Sequence, residues 1–313
     1  MLDARRLRAL RAVAAHGSIA AAATSLGYTA SAVSQSIAAM ERYLDLQLME
    51  RTSHGVTLTD AGLRLVEHAD VILAHLDAAE REARALKGQD ARALSLGSLP
   101  SASGVVARAA AELLRRHPGA ELRIVDADPA RSLPGLRSGE LDVALTYAYD
   151  GVEAERPRWL QVTPLQDDPI RIVLPEHHAL AGQDGVRLAD LARERFIAEP
   201  RPDRRAFSIL ACQAAGFSPE IAAYSSDYDV TLALVADGLG VALVPMMALR
   251  DVPGLVARRL VEPGLKRQLL AATRVGDART PAIAALLGAL RRAANTPPLS
   301  TERPRRSPRA NTS

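Results

Sequence analysis

The chain has 313 residues, of which 48% are hydrophobic and 3% aromatic, so its length predicts more than one domain and its composition excludes a mainly disordered protein. The formal net charge of +3 arises in residues 301–313, because removing their four arginines and one glutamate leaves 39 − 4 = 35 basic and 36 − 1 = 35 acidic residues; charge alone therefore indicates no partner. The single cysteine, Cys212, excludes an internal disulfide and a cysteine-based zinc site, and the lack of a secretory or membrane-spanning apolar run predicts a cytoplasmic protein with no membrane partner.

Three helices are predicted at the N-terminus. Leucine and alanine recur at helical spacing over residues 2–15, and residues 16–17 end that helix. Ser18 supplies a capping hydroxyl for a second short helix, residues 27–28 form a turn, and Thr29 caps a third helix over residues 29–44. The arginines of the first helix are expected to point outward: Arg5, Arg8 and Arg11. Two short helices joined by a glycine-containing turn constitute a helix-turn-helix.

The third predicted helix has two contrasting faces. Val33, Ile37 and Met40 recur at helical spacing and predict a buried face. Half a turn away lies a stripe of small, polar or basic side chains: Ser31, Gln35, Ala38 and Arg42. Such a face fits a narrow space lined with hydrogen-bonding groups, and the DNA major groove is such a space.

A β-wing is predicted after this helix. Val56 and Leu58 alternate with polar neighbours, and residues 53–55 have the composition of a turn. Arg51 and His54 are placed where a wing meets the DNA backbone or the minor groove.

The stretch from residue 17 to residue 62 resembles the winged helix-turn-helix of LysR-type transcriptional regulators. It reads GSIAAAATSLGYTASAVSQSIAAMERYLDLQLMERTSHGVTLTDAG. The resemblance is carried by Ala22, Ala23, Leu26, Ser31, Val33, Ser34, Ile37, Glu41, Leu44, Arg51, Leu58, Thr59 and Gly62. It implies binding to an inverted-repeat site in double-stranded DNA. The predicted DNA-binding residues are Ser18, Thr29, Ala30, Ser31, Ser34, Gln35, Arg42, Arg51 and His54.

Two positions of the reading face differ from the family pattern. Family members usually carry Gln or Pro where this chain has Ala30, and often Arg where it has Gln35. Ala30 cannot hydrogen-bond a base, whereas Gln35 can contact an adenine edge through two hydrogen bonds. The operator preference of better-known relatives therefore does not transfer to this chain.

Residues 59–87 are predicted to form one long helix with a heptad seam. Apolar residues alternate along it at spacings of four and three: Leu65, Ala69, Ile72, Leu76, Ala79, Ala83 and Leu86. Such a seam is typical of pairing with a second helix, although packing against the protein's own core would give the same pattern. In the family this is the linker helix that pairs two subunits. The resemblance thus implies a homodimer or homotetramer held by Leu65, Ile72, Leu76 and Leu86.

From residue 93 predicted strands alternate with predicted helices, which indicates an α/β domain. Strands are predicted at 94–97, 121–126, 142–147, 170–174, 196–198, 221–224, 241–244 and 268–273, and helices at 102–116, 133–138, 188–193, 204–215, 230–236 and 281–294. The sequence VADGLGVALVP at residues 235–245 resembles a stretch near the end of the second subdomain of LysR-type effector domains.

The resemblance implies an α + α/β architecture in four parts. These are a winged helix-turn-helix at 1–58, a linker helix at 59–90, a two-subdomain α/β effector domain like type 2 periplasmic binding proteins at 91–294, and a disordered basic tail at 295–313. Subdomain I covers about 91–162 and 266–294, and subdomain II about 163–265. The tail would either add salt-sensitive DNA affinity or remain solvated.

The cleft between the subdomains is where this fold places a small-molecule effector. Residues 98–103 bring hydroxyls and backbone N–H groups to a helix N-terminus, which favours an anion, although ordinary helix capping explains Ser101 and Ser103 equally well. Acidic residues on the other predicted walls would favour a zwitterion or a cation, and the sequence leaves this choice open. The predicted effector-binding residues are Ser98, Pro100, Ser101, Ser103, Asp128, Thr146, Glu199, Arg201, Ser225 and Asp227.

Motifs for catalysis or metal binding are not found in the sequence. His177 and His178 follow Glu176, but no second ligand cluster has metal spacing, and there is no nucleophile elbow, phosphate loop or dinucleotide fingerprint. We therefore expect no enzyme activity, metal or cofactor. The sequence predicts a LysR-type DNA-binding regulator whose operator binding or promoter activation responds to a small-molecule effector. The alternative is a cytoplasmic small-molecule-binding α/β protein or enzyme whose N-terminal helices make protein contacts only.

Overall fold

A computed structural model describes residues 1–52, 55–85, 93–150, 152, 156–262 and 264–296. His54, Leu86, the side chain of Arg51 and residues 297–313 of the predicted tail lie outside the described part.

The N-terminal domain consists of three helices and a hairpin. They are α1 (Ala4–His16), α2 (Ile19–Leu26), α3 (Ala30–Leu44), β1 (Met49–Thr52) and β2 (Gly55–Leu58), with the two strands antiparallel. The predicted caps are present, since Ser18 Oγ accepts from the backbone N of Ala21 and Thr29 Oγ1 accepts from that of Ala32. The apolar face of α3 is fully buried in the domain core, as its spacing predicts.

The arginines of α1 depart from the sequence-based expectation. Arg5 is exposed and lies over the ring of Tyr28. Arg8, however, pairs with Asp77 of the following helix at 3.3 Å. Arg11 lies half-buried beside the same helix, where burial lowers its pKa and the nearby Asp70 opposes that shift. The outward orientation expected for Arg11 is therefore wrong, because a long helix crosses α1, whereas the Arg8 side chain remains 41% exposed while it pairs with that helix.

That long helix is α4 (Asp60–Ala85), about 39 Å long at 1.5 Å per residue. Leu73 and Ala69 are buried against Leu7 of α1. Along the predicted seam, Leu65 packs within the subunit, whereas Ile72 and Leu76 are 43% and 40% exposed. One side of α4 thus packs within its own subunit, and the apolar residues Ile72 and Leu76 face solvent.

The C-terminal part is an α/β domain. Its elements are β3 (Leu94–Ser98), α5 (Ser103–Arg116), β4 (Leu122–Asp126), α6 (Pro129–Ser138), β5 (Val143–Tyr149), β6 (Leu160–Pro175), β7 (Gly185–Val186), β8 (Arg195–Ala198), α7 (Pro202–Ala214), β9 (Glu220–Tyr224), α8 (Tyr228–Ala236), β10 (Ala242–Pro245), β11 (Leu255–Leu260), β12 (Lys266–Arg274) and α9 (Pro281–Ala294). Short 3-10 turns cover Pro100–Ala102, Leu188–Leu191, Met246–Ala248 and Asp277–Arg279.

Strand β6 joins the two halves of this domain. Its first part pairs with β12 up to Pro169, and from Ile170 it pairs with β10 and β11. The sheet order is β4-β3-β5-β12-β6-β11-β7, and β8 pairs with β9 beside it. The sequence predicts strand only at 170–174, because Asp167, Asp168 and Pro169 interrupt the apolar pattern. The short β7 and the longer β11 are not predicted, and residues 188–191 form a 3-10 turn rather than the predicted helix.

Candidate DNA interface and effector cleft

The predicted reading face of α3 is open to solvent. Ala30, Ser31, Gln35 and Arg42 are exposed, and Ser34 is partly buried. Thr29 Oγ1 lies 3.0 Å from Ser31 Oγ at the start of the helix. The face carries small and polar groups, so it presents hydrogen-bonding side chains without bulk that would keep the helix out of a groove.

The wing is anchored on the helix-turn-helix by polar contacts. The carboxylate of Glu41 on α3 accepts from the backbone N of Leu48 at 2.9 Å, and Thr59 Oγ1 donates to the carbonyl of Gln47 at 2.7 Å. Val56 N donates to the carbonyl of Gly17, and any side chain at Gly55 would lie 2.6 Å from that oxygen. These contacts fix the wing beside the reading face.

A cleft of about 430 Å³ lies between the two halves of the C-terminal domain. Of the predicted effector-binding residues, it is lined by Pro100, Ser101, Asp128, Arg201 and Asp227. It is also lined by Ser226, which lies within the predicted segment 225–227. Residues not predicted from the sequence complete the lining: Asp126, Ala127, Arg131, Tyr228, Asp229, Ala248 and Arg250. Asp126 ends β4 and Asp229 lies in the first turn of α8, so the rule that strand ends and helix starts face the cleft applies to both positions.

The other predicted residues lie elsewhere. Glu199 and Ser225 line a smaller chamber of about 30 Å³ beside the cleft, together with Tyr149, Phe207 and Tyr228. Ser98 is buried and donates to the carbonyl of Leu99, and Thr146 is buried within β5. Ser103 is exposed at the start of α5. Neither the cleft nor the smaller chamber is lined by Ser98, Thr146 or Ser103.

Arg201 bridges the cleft. Its Nη1 lies 2.7 Å from Asp128 Oδ2, and its Nε lies 3.2 Å from Glu199 Oε1. Asp128 also caps α6 by accepting from the backbone N of Arg131. Because Asp128 and Arg201 belong to opposite walls, this ion pair depends on how far the cleft is closed.

A second ion pair is fully buried where the chain crosses between the two halves. Arg267 of β12 donates through Nε to Asp168 Oδ2 of β6 at 2.8 Å, and its Nη2 lies 2.8 Å from the same oxygen. Both side chains are 0% exposed. Asp168 Oδ1 accepts from the backbone N of Met247, and Arg267 Nη2 also donates to Ser101 Oγ at 2.8 Å. Burial raises the pKa of the Asp168 carboxyl, and Arg267 opposes that shift. The sequence offers no local signal for this pair, because its members are 99 residues apart.

Helix α6 extends from the cleft to the linker helix. Near its C-terminus, Arg137 Nη2 lies 2.8 Å from Asp70 Oδ2 of α4. Asp70 is 4% exposed, and burial raises the pKa of its carboxyl while Arg137 opposes the shift. Val71 of α4 packs against the apolar cluster that contains Leu136. The long helix therefore contacts both the N-terminal domain and the α/β domain.

His178 is engaged in contacts of its own. Its Nδ1 accepts from the backbone N of Leu180, and its Nε2 lies 3.5 Å from Glu194 Oε1.

Among the residues that the structure describes, no helix is long and apolar enough to cross a bilayer.

The fold and these two surfaces define a class of protein: a DNA-binding regulator with a ligand-responsive α/β domain. Residues 4–63 match the family model described as "Bacterial regulatory helix-turn-helix protein, lysR family", and residues 87–295 match the "LysR substrate binding domain". The chain belongs to the LysR family of transcriptional regulators. Members of this family bind DNA and small-molecule effectors and form oligomers.

Individual relatives agree with this assignment. The chain is 32% identical over 295 residues to a probable hydrogen peroxide-inducible genes activator from Streptomyces viridosporus, covering 92% of this chain and 93% of that one. It is 33% identical to a small neutral protease regulatory protein from Streptomyces lividans, covering 90% of this chain and 81% of that protein. A full-length OxyR variant from Pseudomonas aeruginosa has the same fold, with a TM-score of 0.66, 22% identity and coverage of 93% and 95%.

Proposed function

We propose that this regulator reads an inverted-repeat operator with the exposed face of α3 and contacts the flanking backbone with its wing. The residues proposed to bind DNA are Ser18, Thr29, Ala30, Ser31, Ser34, Gln35, Arg42, Arg51 and His54. The observation that carries the proposal is the exposure of Gln35 between buried Val33 and Ile37, because its amide is then free to meet a base edge. We propose that the protein acts in the cytoplasm, where it meets chromosomal DNA.

Gln35→Ala tests the reading face. We expect it to weaken operator binding by about 1–3 kcal/mol while non-specific DNA binding stays nearly unchanged. Gel-shift titrations with the chain's own upstream intergenic DNA and with random DNA measure both quantities. Gln213→Ala is the matched control, since Gln213 is an exposed helical glutamine in the effector domain. Equal loss on both DNAs would contradict the assignment.

We propose that subunits pair along the exposed part of α4, which places two reading helices on the operator, and that two such dimers form a tetramer. The proposal covers Ile72 and Leu76, which are exposed on one helix, and extends to Leu86 outside the described residues. Leu65 is not part of it, because it packs within its own subunit. A double substitution, Ile72→Asp with Leu76→Asp, is expected to give monomers in light scattering. The control is Leu239→Asp, at an exposed apolar site in the effector domain. An unchanged mass for the double variant would show that subunits do not pair through Ile72 and Leu76.

We propose that the effector binds in the 430 Å³ cleft and that its binding changes the angle between the two halves of the effector domain. The residues proposed are those of the predicted set that line the cleft, Pro100, Ser101, Asp128, Arg201 and Asp227, with Glu199 and Ser225 in the adjoining chamber. Ser98, Ser103 and Thr146 line neither space and are not part of this proposal. The Arg201–Asp128 bridge carries this proposal, because a ligand that binds more tightly to the open or to the closed cleft shifts the population toward that state.

The proposed division of the chain is 1–58 for the DNA-binding domain, 59–90 for the linker helix and 91–294 for the effector domain, followed by the tail.

The alternative, an α/β binding protein or enzyme whose N-terminal helices make only protein contacts, is not favoured by the family match. The gel shift with upstream DNA separates the two, since only a DNA-binding regulator would retain its affinity over random competitor. No enzymatic reaction is proposed.

A peroxide response is suggested by the name of one relative but is opposed by the thiol chemistry of this chain. Reaction with peroxide requires an accessible thiolate. Cys212, the single cysteine of the sequence, is fully buried, and burial raises its pKa to about 12. One cysteine also cannot close an intrachain disulfide. We therefore do not extend that relative's name to this protein.

A further inference from the structure

Ser101 lies at the wall of the cleft, and the buried Arg267 lies behind it. Arg267 carries only donor groups, so in the 2.8 Å contact between its Nη2 and Ser101 Oγ the serine oxygen accepts. The hydroxyl proton of Ser101 is then left for another partner. Ser101 lines the cleft, so this proton is available to a ligand there.

The same guanidinium has a second donor, Nη1, a buried atom for which the described part of the chain supplies no hydrogen-bond partner. Arg267 itself lines neither the cleft nor the smaller chamber, so it acts on the cleft through Ser101, whose oxygen it occupies as an acceptor. A ligand with a negatively charged oxygen can accept the remaining serine proton.

The charges around the cleft oppose a simple anion. Its lining includes four aspartates, Asp126, Asp128, Asp227 and Asp229, and three arginines, Arg131, Arg201 and Arg250, so the sum is 3 − 4 = −1. The Arg267–Asp168 pair behind Ser101 adds 1 − 1 = 0. A ligand that brings only negative charge meets a net negative rim, whereas one that also carries an ammonium group is attracted to it.

We propose that the cleft binds a small zwitterion of the α-amino acid type, with its carboxylate on Ser101 Oγ and its ammonium group beside Asp227 and Asp229. This inference rests on the proposed function, because it names the chemical class of the effector. The sequence leaves open whether the effector is an anion or a zwitterion, and this proposal chooses the zwitterion.

The first experiment is a thermal-shift screen of the full chain against the twenty proteinogenic L-amino acids, one at a time. A ligand that binds the folded state raises the midpoint of unfolding in proportion to its affinity and concentration. For each amino acid that stabilises the protein, its desamino acid and its decarboxylated amine are tested at the same concentration. At least one amino acid is expected to stabilise the protein, and neither half-molecule is expected to match it.

Substitutions then locate the two ends of the ligand by calorimetric titration. Ser101→Ala is expected to raise Kd about 10- to 150-fold, the usual loss for a hydrogen bond to a charged group. Its control is Ser103→Ala, which removes a hydroxyl two residues away and outside the cleft. Asp227→Asn retains a capping side chain for α8 and is expected to raise Kd about 2- to 5-fold. Its control is Asp237→Asn at the other end of the same helix.

The proposal is overturned if no amino acid stabilises the protein, if the desamino acid binds as tightly as the amino acid, or if Ser101→Ala leaves Kd unchanged. These outcomes are distinct from failure of the proposed function. A metabolite of another class that shifts both unfolding and operator binding would retain the effector function and refute the amino acid. An amino acid that binds through Ser101 without changing operator binding would support the ligand class and refute the regulatory role.

Discussion

Two ion pairs of this protein lie where its parts meet, one inside the effector domain and one between that domain and α4, and they differ in how far each is buried. Arg267 and Asp168 are both 0% exposed at the crossing between the halves of the effector domain. In the pair between α4 and α6, Asp70 is 4% exposed but Arg137 is 36% exposed. The first pair is closed to water on both sides. The second has one partner that regains water as soon as the contact opens, which suits a contact between domains better than a fixed hinge.

Helix α6 connects the second pair to the effector cleft. Asp128, which pairs with Arg201 across the cleft, caps its N-terminus, and Arg137 lies in its last turn. The helix is about 15 Å long at 1.5 Å per residue. A helix that contacts the cleft at one end and the linker helix at the other connects these two parts of the protein directly. Substitutions in the two ion pairs measure how much each contact contributes to stability.

The largest effect is expected from Asp168→Asn. The substitution leaves Arg267 charged and without its carboxylate in a fully buried site, so we expect a loss of about 3–5 kcal/mol in the free energy of unfolding. Urea unfolding measures it. Asp167→Asn is the matched control, because Asp167 is the exposed neighbour that pairs with Lys266, and it should change stability little. A similar loss from both variants would argue against burial as the cause.

An intermediate effect is expected at the contact between α4 and α6. Arg137→Ala leaves the buried carboxylate of Asp70 without a cation, so we expect a loss of about 1–3 kcal/mol. Asp70→Asn should cost less, because Arg137 is partly exposed and regains water. The double variant should lose less than the sum of the two single losses in the same urea experiment. If the loss of stability in the double variant equalled the sum of the two single losses, the two residues would not depend on each other.

The smallest effect is a pH dependence. Burial raises the pKa of Asp70 in the folded protein above its unfolded value of about 3.9. Between that value and the raised pKa the folded state binds more protons than the unfolded state, so stability falls as pH rises through this window. Thermal midpoints of the wild type and of Asp70→Asn, compared from about pH 4 to pH 7, should show the variant gaining relative to the wild type as pH increases. The opposite slope would mean that Arg137 outweighs burial.

The fold was largely predictable from local pattern, and the candidate site only in part. The caps at Ser18 and Thr29, the buried stripe of α3 and the bounds of α9 follow from side chains within one or two turns of each other. In the cleft, Ser101, Asp128 and Asp227 are placed by the rule for strand ends. The length of strand β6 was underestimated, because its polar residues pair with β12. That strand lies about 100 residues further along the chain, so the local sequence pattern does not show the pairing.

The sequence by itself determined that this chain is a LysR-type regulator with a DNA-reading helix, because those features depend on periodicity, capping and a contiguous motif. Only the tertiary structure decided that Arg8 and Arg11 face a crossing helix, that Arg267 is buried behind Ser101, and that α6 contacts both the cleft and the linker helix. The physical reason is that charged residues are expected on the surface unless a partner of opposite charge is buried with them. Those partners lie far along the chain, and only folding brings them together.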